Sequence, residues 1–113
     1  MNVVNLTPHA ISIISLDGET ITYEPSGVVA RVVTKTLELR PISGFRVREL
    51  SSTFGVEGLP DPEPDTIYLV SSMVLAKTNR ANQDVFAPDT GGDAIRDKEG
   101  RICAVRGLLG RNY

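Results

Sequence analysis

Residues 66–79 read Thr-Ile-Tyr-Leu-Val-Ser-Ser-Met-Val-Leu-Ala-Lys-Thr-Asn. The first five, Thr66–Val70, are the most apolar and β-branched run in the chain, which is the composition of a strand at the centre of a sheet. Ser71 and Ser72 follow, and Met73–Asn79 offers about two turns of good helix formers. A serine hydroxyl there can accept from the first free amides of the helix, and Asn79 suits its end. A central strand running straight into a short capped helix, with no second helix candidate elsewhere, predicts a mainly β domain of α+β type.

Upstream, residues 2–50 are short runs of Val, Ile, Thr, Leu and Tyr cut by turn residues. Strands are expected near Val3–Leu6, Ala10–Leu16 and Thr20–Glu24, with Asp17-Gly18 turning a hairpin because glycine accepts the positive φ required. Val28–Leu39 reads as one long strand ended by Pro41, and Phe45–Leu50 as another. Ser51–Asp65 carries Pro60, Pro62 and Pro64 and reads as a loop, since proline has no amide to donate. Downstream, short strands are expected near Asp84–Ala87, Ala94–Arg96 and Arg101–Leu108, with Asp97–Gly100 as a hairpin turn. Seven or eight short strands and one helix, over a single domain spanning 1–113, imply a small partly closed β-barrel or sandwich. Ile67, Leu69, Val74, Ile102 and Val105 are the expected core. Open edges of such a small β-rich chain imply a homodimer or higher oligomer.

The balance of 12 Lys+Arg against 14 Asp+Glu gives a formal charge of -2, so nucleic acid is not the expected partner. The N-terminus is broken by Asn5, Thr7, Pro8 and His9 and reads as neither signal peptide nor membrane span. Cys103, the single cysteine, sits in the alternating run Arg101–Arg106 and is expected to be a buried small hydrophobe. A lone thiol of that kind points to a reducing, cytoplasmic location. His9 is the only histidine; it has no companions for a zinc site and reads as a loop residue.

Two constellations can hold a ligand. Ser71 and Ser72, at the strand–helix junction, have the hydroxyls and free amides of an anion site, although they also suit a plain helix cap. Arg80, Asp84, Asp89, Thr90 and Arg96 surround the turn Asp89-Thr90-Gly91-Gly92, where arginine can fork onto an anion and aspartate can accept from a hydroxyl. Asp84 and Asp89 are not a calcium loop, because apolar residues separate them and no bidentate glutamate comes after. No catalytic residue, metal or cofactor is assigned. Exposed ion pairs add only about 0–1 kcal/mol, so charge this dense around a glycine turn is expected to converge on a ligand near the helix start.

Asn5-Leu6-Thr7-Pro8-His9, Pro25–Arg31, Glu57-Gly58-Leu59-Pro60, Ile67–Ser71, Asp84–Gly91 and Arg96–Ile102 together resemble a family of small bacteriophage and prophage proteins, across nearly the whole chain. That resemblance carries no assigned activity. It implies an accessory factor that binds a host protein or sequesters a small molecule in the host cytosol. The leading expectation is therefore a non-enzymatic phage accessory protein, of counter-defence type, binding a small anionic, nucleotide-like ligand. A protein-binding inhibitor or minor virion component using Ser51–Asp65 is one alternative, and a small hydrolase using an aspartate with His9 is another.

Overall fold

Strand β8, Thr66–Leu69, is covered on both faces and organises the molecule. The computed structural model describes residues 1–34, 38–49, 54–80 and 83–110. Before β8 come β1 (Asn2–Asn5), β2 (Ile11–Ile14), β3 (Thr20–Tyr23), β4 (Arg31–Thr34), β5 (Glu38–Ile42), β6 (Phe45–Arg48) and β7 (Phe54–Glu57). After it come α1 (Ser72–Lys77), β9 (Val85–Pro88), β10 (Ile95–Arg96), β11 (Ile102–Ala104) and β12 (Leu108–Leu109).

The fold is mainly β with one short helix among the described residues. The described strands close no barrel: they form one four-stranded sheet, ordered β1-β8-β9-β12, and four two-stranded ones. β1 and β9 both run parallel to β8, and β12 closes the edge antiparallel to β9. Parallel neighbours need a crossover, and α1 supplies the one between β8 and β9. At six residues it is too short to be stable alone. It is held by burial of Val74 and Leu75 and by Ser71, whose Oγ accepts from the Val74 amide at 3.3 Å.

Pairing of Val4 with Tyr68 and Tyr68 with Val85 puts these side chains on one face of the sheet. There they join Leu6, Val70 and Ala87 beneath Val74, Leu75 and Ala30, with Val32 and Val56 of the β4–β7 pair packed alongside. On the opposite face Val3, Ile67, Leu69 and Leu108 line a cavity of about 180 Å³ together with Ile13, Ile21 and Tyr23 of the β2–β3 hairpin. Leu69, Val74 and Val105 are core as expected, whereas Ile67 is only half-buried and Ile102 is exposed. Among the described strands β11 pairs only with β10, and it approaches β2 through the Ile13–Val105 bridge, which leaves the Ile102 side without cover.

The β2–β3 hairpin forms as the Asp-Gly pair predicts, with Gly18 at φ +91° and Asp17 Oδ1 accepting from the Ser15 hydroxyl and the Glu19 amide. These hydrogen bonds, the Ser15 one foremost, hold the Asp17 carboxyl below its ordinary range. Four expectations change. The expected strand Arg101–Leu108 is two strands, β11 and β12, paired with β10 and β9 respectively; the expected strand Val28–Leu39 holds β4 and the start of β5, with residues 35–37 outside the described set. Pro41 does not end β5 but lies inside it, on an exposed two-stranded ribbon where a missing donor costs little. The reversal comes one step later at Ser43-Gly44, both at positive φ, which closes Ile42 onto Phe45. The expected loop Ser51–Asp65 overruns β7, which pairs with β4 from Arg31↔Glu57 to Thr34↔Phe54; residues 51–53 lie outside the described set.

Candidate functional site

The carboxyl ends of β1, β8 and β9 open on the same side of the sheet, because the three strands are parallel. Crevices at such ends are where α/β sheets commonly bind ligands. The cleft here has a volume of about 380 Å³, within the range of small-molecule sites. Each strand leads into a segment that lines it: Thr7 and His9 after β1, Ser71 and Ser72 after β8, Thr90 after β9. The start of β2 and the strand β11, with Cys103, complete the wall.

The loop after β1 owes its shape to Asn5, whose side chain is buried. Its Nδ2 donates to the His9 carbonyl at 2.8 Å and to the Tyr23 carbonyl at 3.0 Å. Its Oδ1 accepts from the Thr7 amide at 2.9 Å and from the Thr7 hydroxyl at 2.7 Å. One amide thus satisfies itself fully while tying residues 5–9 to the end of β3, and it sets His9 at the mouth of the cleft. The floor is apolar, with Ile11, Val70 and Val105 among its residues. Ser12 is engaged with Thr22 at 2.8 Å and Ser71 with the helix amide. Among the described residues none hydrogen-bonds the side chains of Ser72, Thr90 or His9, and all three are exposed.

The expected charged cluster does not converge on this cleft. Ser71, Ser72 and Thr90 line it, but Arg80, Asp84, Asp89 and Arg96 do not. Arg80 instead forks onto Asp84, with Nε to Oδ1 at 3.1 Å and Nη2 to Oδ2 at 2.5 Å, the two side chains being 17% and 13% exposed. Its Nη1 donates to the Pro60 carbonyl at 2.7 Å, and the guanidinium lies 5.7 Å from the centre of the Tyr68 ring. The Tyr68 hydroxyl donates to the Asp61 carbonyl. Together these contacts clamp the proline-rich segment against the sheet.

The clamp leaves a mark on two of its titratable members. Hydrogen bonding to Asp84 raises the Arg80 guanidinium above its ordinary value, and burial followed by the charge of Glu63 raises the Tyr68 phenol. The low worth of surface ion pairs assumes exposure, and this pair is not exposed. Asp89 turns inward on its own loop, accepting from the Gly91 amide at 3.0 Å. Arg96 donates to the Gly100 carbonyl at 2.8 Å and braces the β10–β11 hairpin.

His9 and Cys103 are cleft residues that the sequence pattern does not mark as such. Cys103 is exposed on β11 and not a buried hydrophobe, because no described element pairs with that strand beyond β10. The Thr7-Pro8-His9 triplet immediately after a strand is the available signal for His9. Among the described residues no group of three or more His, Cys, Asp or Glu side chains comes together, and no helix is long and apolar enough to cross a membrane. No family model, curated protein or solved structure matches the chain.

Proposed function

We propose that this protein is a non-enzymatic binder of a small molecule held in the cleft at the carboxyl ends of β1, β8 and β9. One observation carries the reading: an apolar floor rimmed by Ser72, Thr90 and His9, whose hydrogen-bonding groups have no partner among the described residues. A ligand with a flat apolar body and polar edges suits such a site. Among the described residues no arginine or lysine lines the cleft, so the site favours the neutral ring end of a nucleoside-like molecule over its phosphates. Binding is preferred to hydrolysis because no described carboxylate lines the cleft to orient His9 as a base. A phage accessory factor that sequesters a host metabolite or signal would need no more than this.

Native mass spectrometry of freshly purified protein, followed by a thermal-shift screen of nucleobases and nucleosides, tests the reading. At about 100 times Kd a ligand adds about 2.7 kcal/mol of stability, a readily measured rise in Tm. Ile102→Trp, which fills the cleft from an exposed position, should abolish both the carried mass and the shift. A shift that survives that substitution places the ligand elsewhere, and absence of any bound mass or shift in the wild type removes the proposal.

A further inference from the structure

We propose that the cavity between the four-stranded sheet and the β2–β3 hairpin is a second binding site, one that takes a small uncharged molecule with the bulk of a single aromatic ring. The sheet contributes Val3, Ile67, Leu69 and Leu108 and the hairpin Ile13 and Ile21, around a volume of about 180 Å³. Protein interiors leave few voids larger than a water molecule. A cavity of about 150 Å³ lined by Leu, Ile and Phe stays dry and binds benzene, so this space is large enough for one ring. It shares no lining residue with the cleft at the strand ends.

Backbone hydrogen bonds hold the space open. On one side of Ile13 the Val105 amide donates to the Ser12 carbonyl at 2.9 Å, and on the other the Ile14 amide donates to the Val105 carbonyl at 2.8 Å. On β3 the Tyr23 carbonyl accepts from the buried Asn5 side chain at 3.0 Å. Both strands of the hairpin are therefore pinned, and settling onto the sheet would break these bonds. A guest fills the space at no such cost.

The lining selects the guest. A buried water needs two to four polar partners, yet only Ser15 and Tyr23 bring polar side chains, and the Ser15 hydroxyl is engaged by the Asp17 carboxylate. Among the described residues no lysine or arginine lines the space, so a fatty acid or a phosphorylated ligand finds no counter-charge. Leu69 is fully buried, while Ile21 and Leu108, 41% and 36% exposed, stand at the margin. The volume beyond that margin admits one ring and not a strand or helix of another protein.

The test is a titration of methyl-labelled protein with benzene, followed by NMR. Methyl signals of Ile13, Ile21, Ile67 and Leu69 should move together by ring current and saturate with a Kd on the order of 1 mM. Ile21→Trp, or Leu108→Trp where the first variant fails to fold, places a ring in the space from its exposed margin and should weaken benzene binding by about tenfold or more. The response should persist in Ile102→Trp, which fills the other cleft. Methyls that stay unmoved up to the solubility limit of benzene overturn the proposal, as does binding that survives both margin substitutions. A response lost in Ile102→Trp overturns it by assigning the benzene to the other cleft. The same methyls moving with protein concentration alone overturn it too, by giving the space to a side chain of a second copy.

Discussion

The Arg80–Asp84 clamp and the cleft beside Ser72 draw on the same kinds of residue and do opposite things. In the clamp each polar group has a partner: guanidinium with carboxylate, guanidinium with the Pro60 carbonyl, phenol with the Asp61 carbonyl. In the cleft Ser72, Thr90 and His9 present polar groups toward a space bounded mostly by apolar side chains. Charge density along a sequence therefore does not locate a site. What distinguishes a binding surface from a brace is whether its polar groups are already satisfied.

Arg80→Ala is the strongest way to break that contrast. It removes both arms of the fork and strands a mostly buried Asp84, a situation that costs about 3 kcal/mol or more. A urea melt should show the midpoint moving down accordingly, while a loss under about 1 kcal/mol would make the clamp as dispensable as an exposed pair.

Asn5→Ala should come next, at about 2 kcal/mol, because it takes the side-chain donor from the Tyr23 carbonyl and the acceptor from the Thr7 amide, while the His9 carbonyl keeps only the Thr7 hydroxyl. It should also raise amide exchange across residues 6–9 before the rest of the chain, since Asn5 holds that loop in place. Uniform exchange over the whole molecule would mean that the loop is braced by something else.

Ser72→Ala and Thr90→Val should each move the melt by no more than about 0.5 kcal/mol, the usual range for exposed side chains outside a network. If either costs as much as Arg80→Ala, the cleft groups are structural and the contrast fails. Arg96→Ala is expected to have the smallest effect of all, about 0–0.5 kcal/mol, because its bond to the Gly100 carbonyl is exposed. A larger loss would show that the β10–β11 hairpin depends on that one contact.

Part of the proposed site is legible in the chain alone. Ser71 and Ser72 stand where a β-branched run gives way to helix formers, and Thr90 stands in a glycine turn. Both signals are local. His9 is marked only by the Thr7-Pro8-His9 triplet and Cys103 by nothing local; they lie near opposite ends of the chain, and only the folded sheet brings them to one cleft. Arg80 and Asp84 are i,i+4 neighbours and are readable as a pair. Their burial depends on Pro60 and Tyr68, which no spacing rule connects to them.

The amino-acid sequence by itself determined the elements whose causes lie within a few residues: the Asp17-Gly18 hairpin, the serine-capped helix and the apolar run of β8. Turn dihedrals, caps and side-chain periodicity are short-range, so they are written in neighbouring letters. Only the tertiary structure decided that β1 and β9 flank β8 in parallel, that β7 returns to β4, and that Asp84 is withdrawn from solvent. Such pairings join residues far apart in the chain. Their free energy comes from surfaces that meet only after the chain has closed on itself.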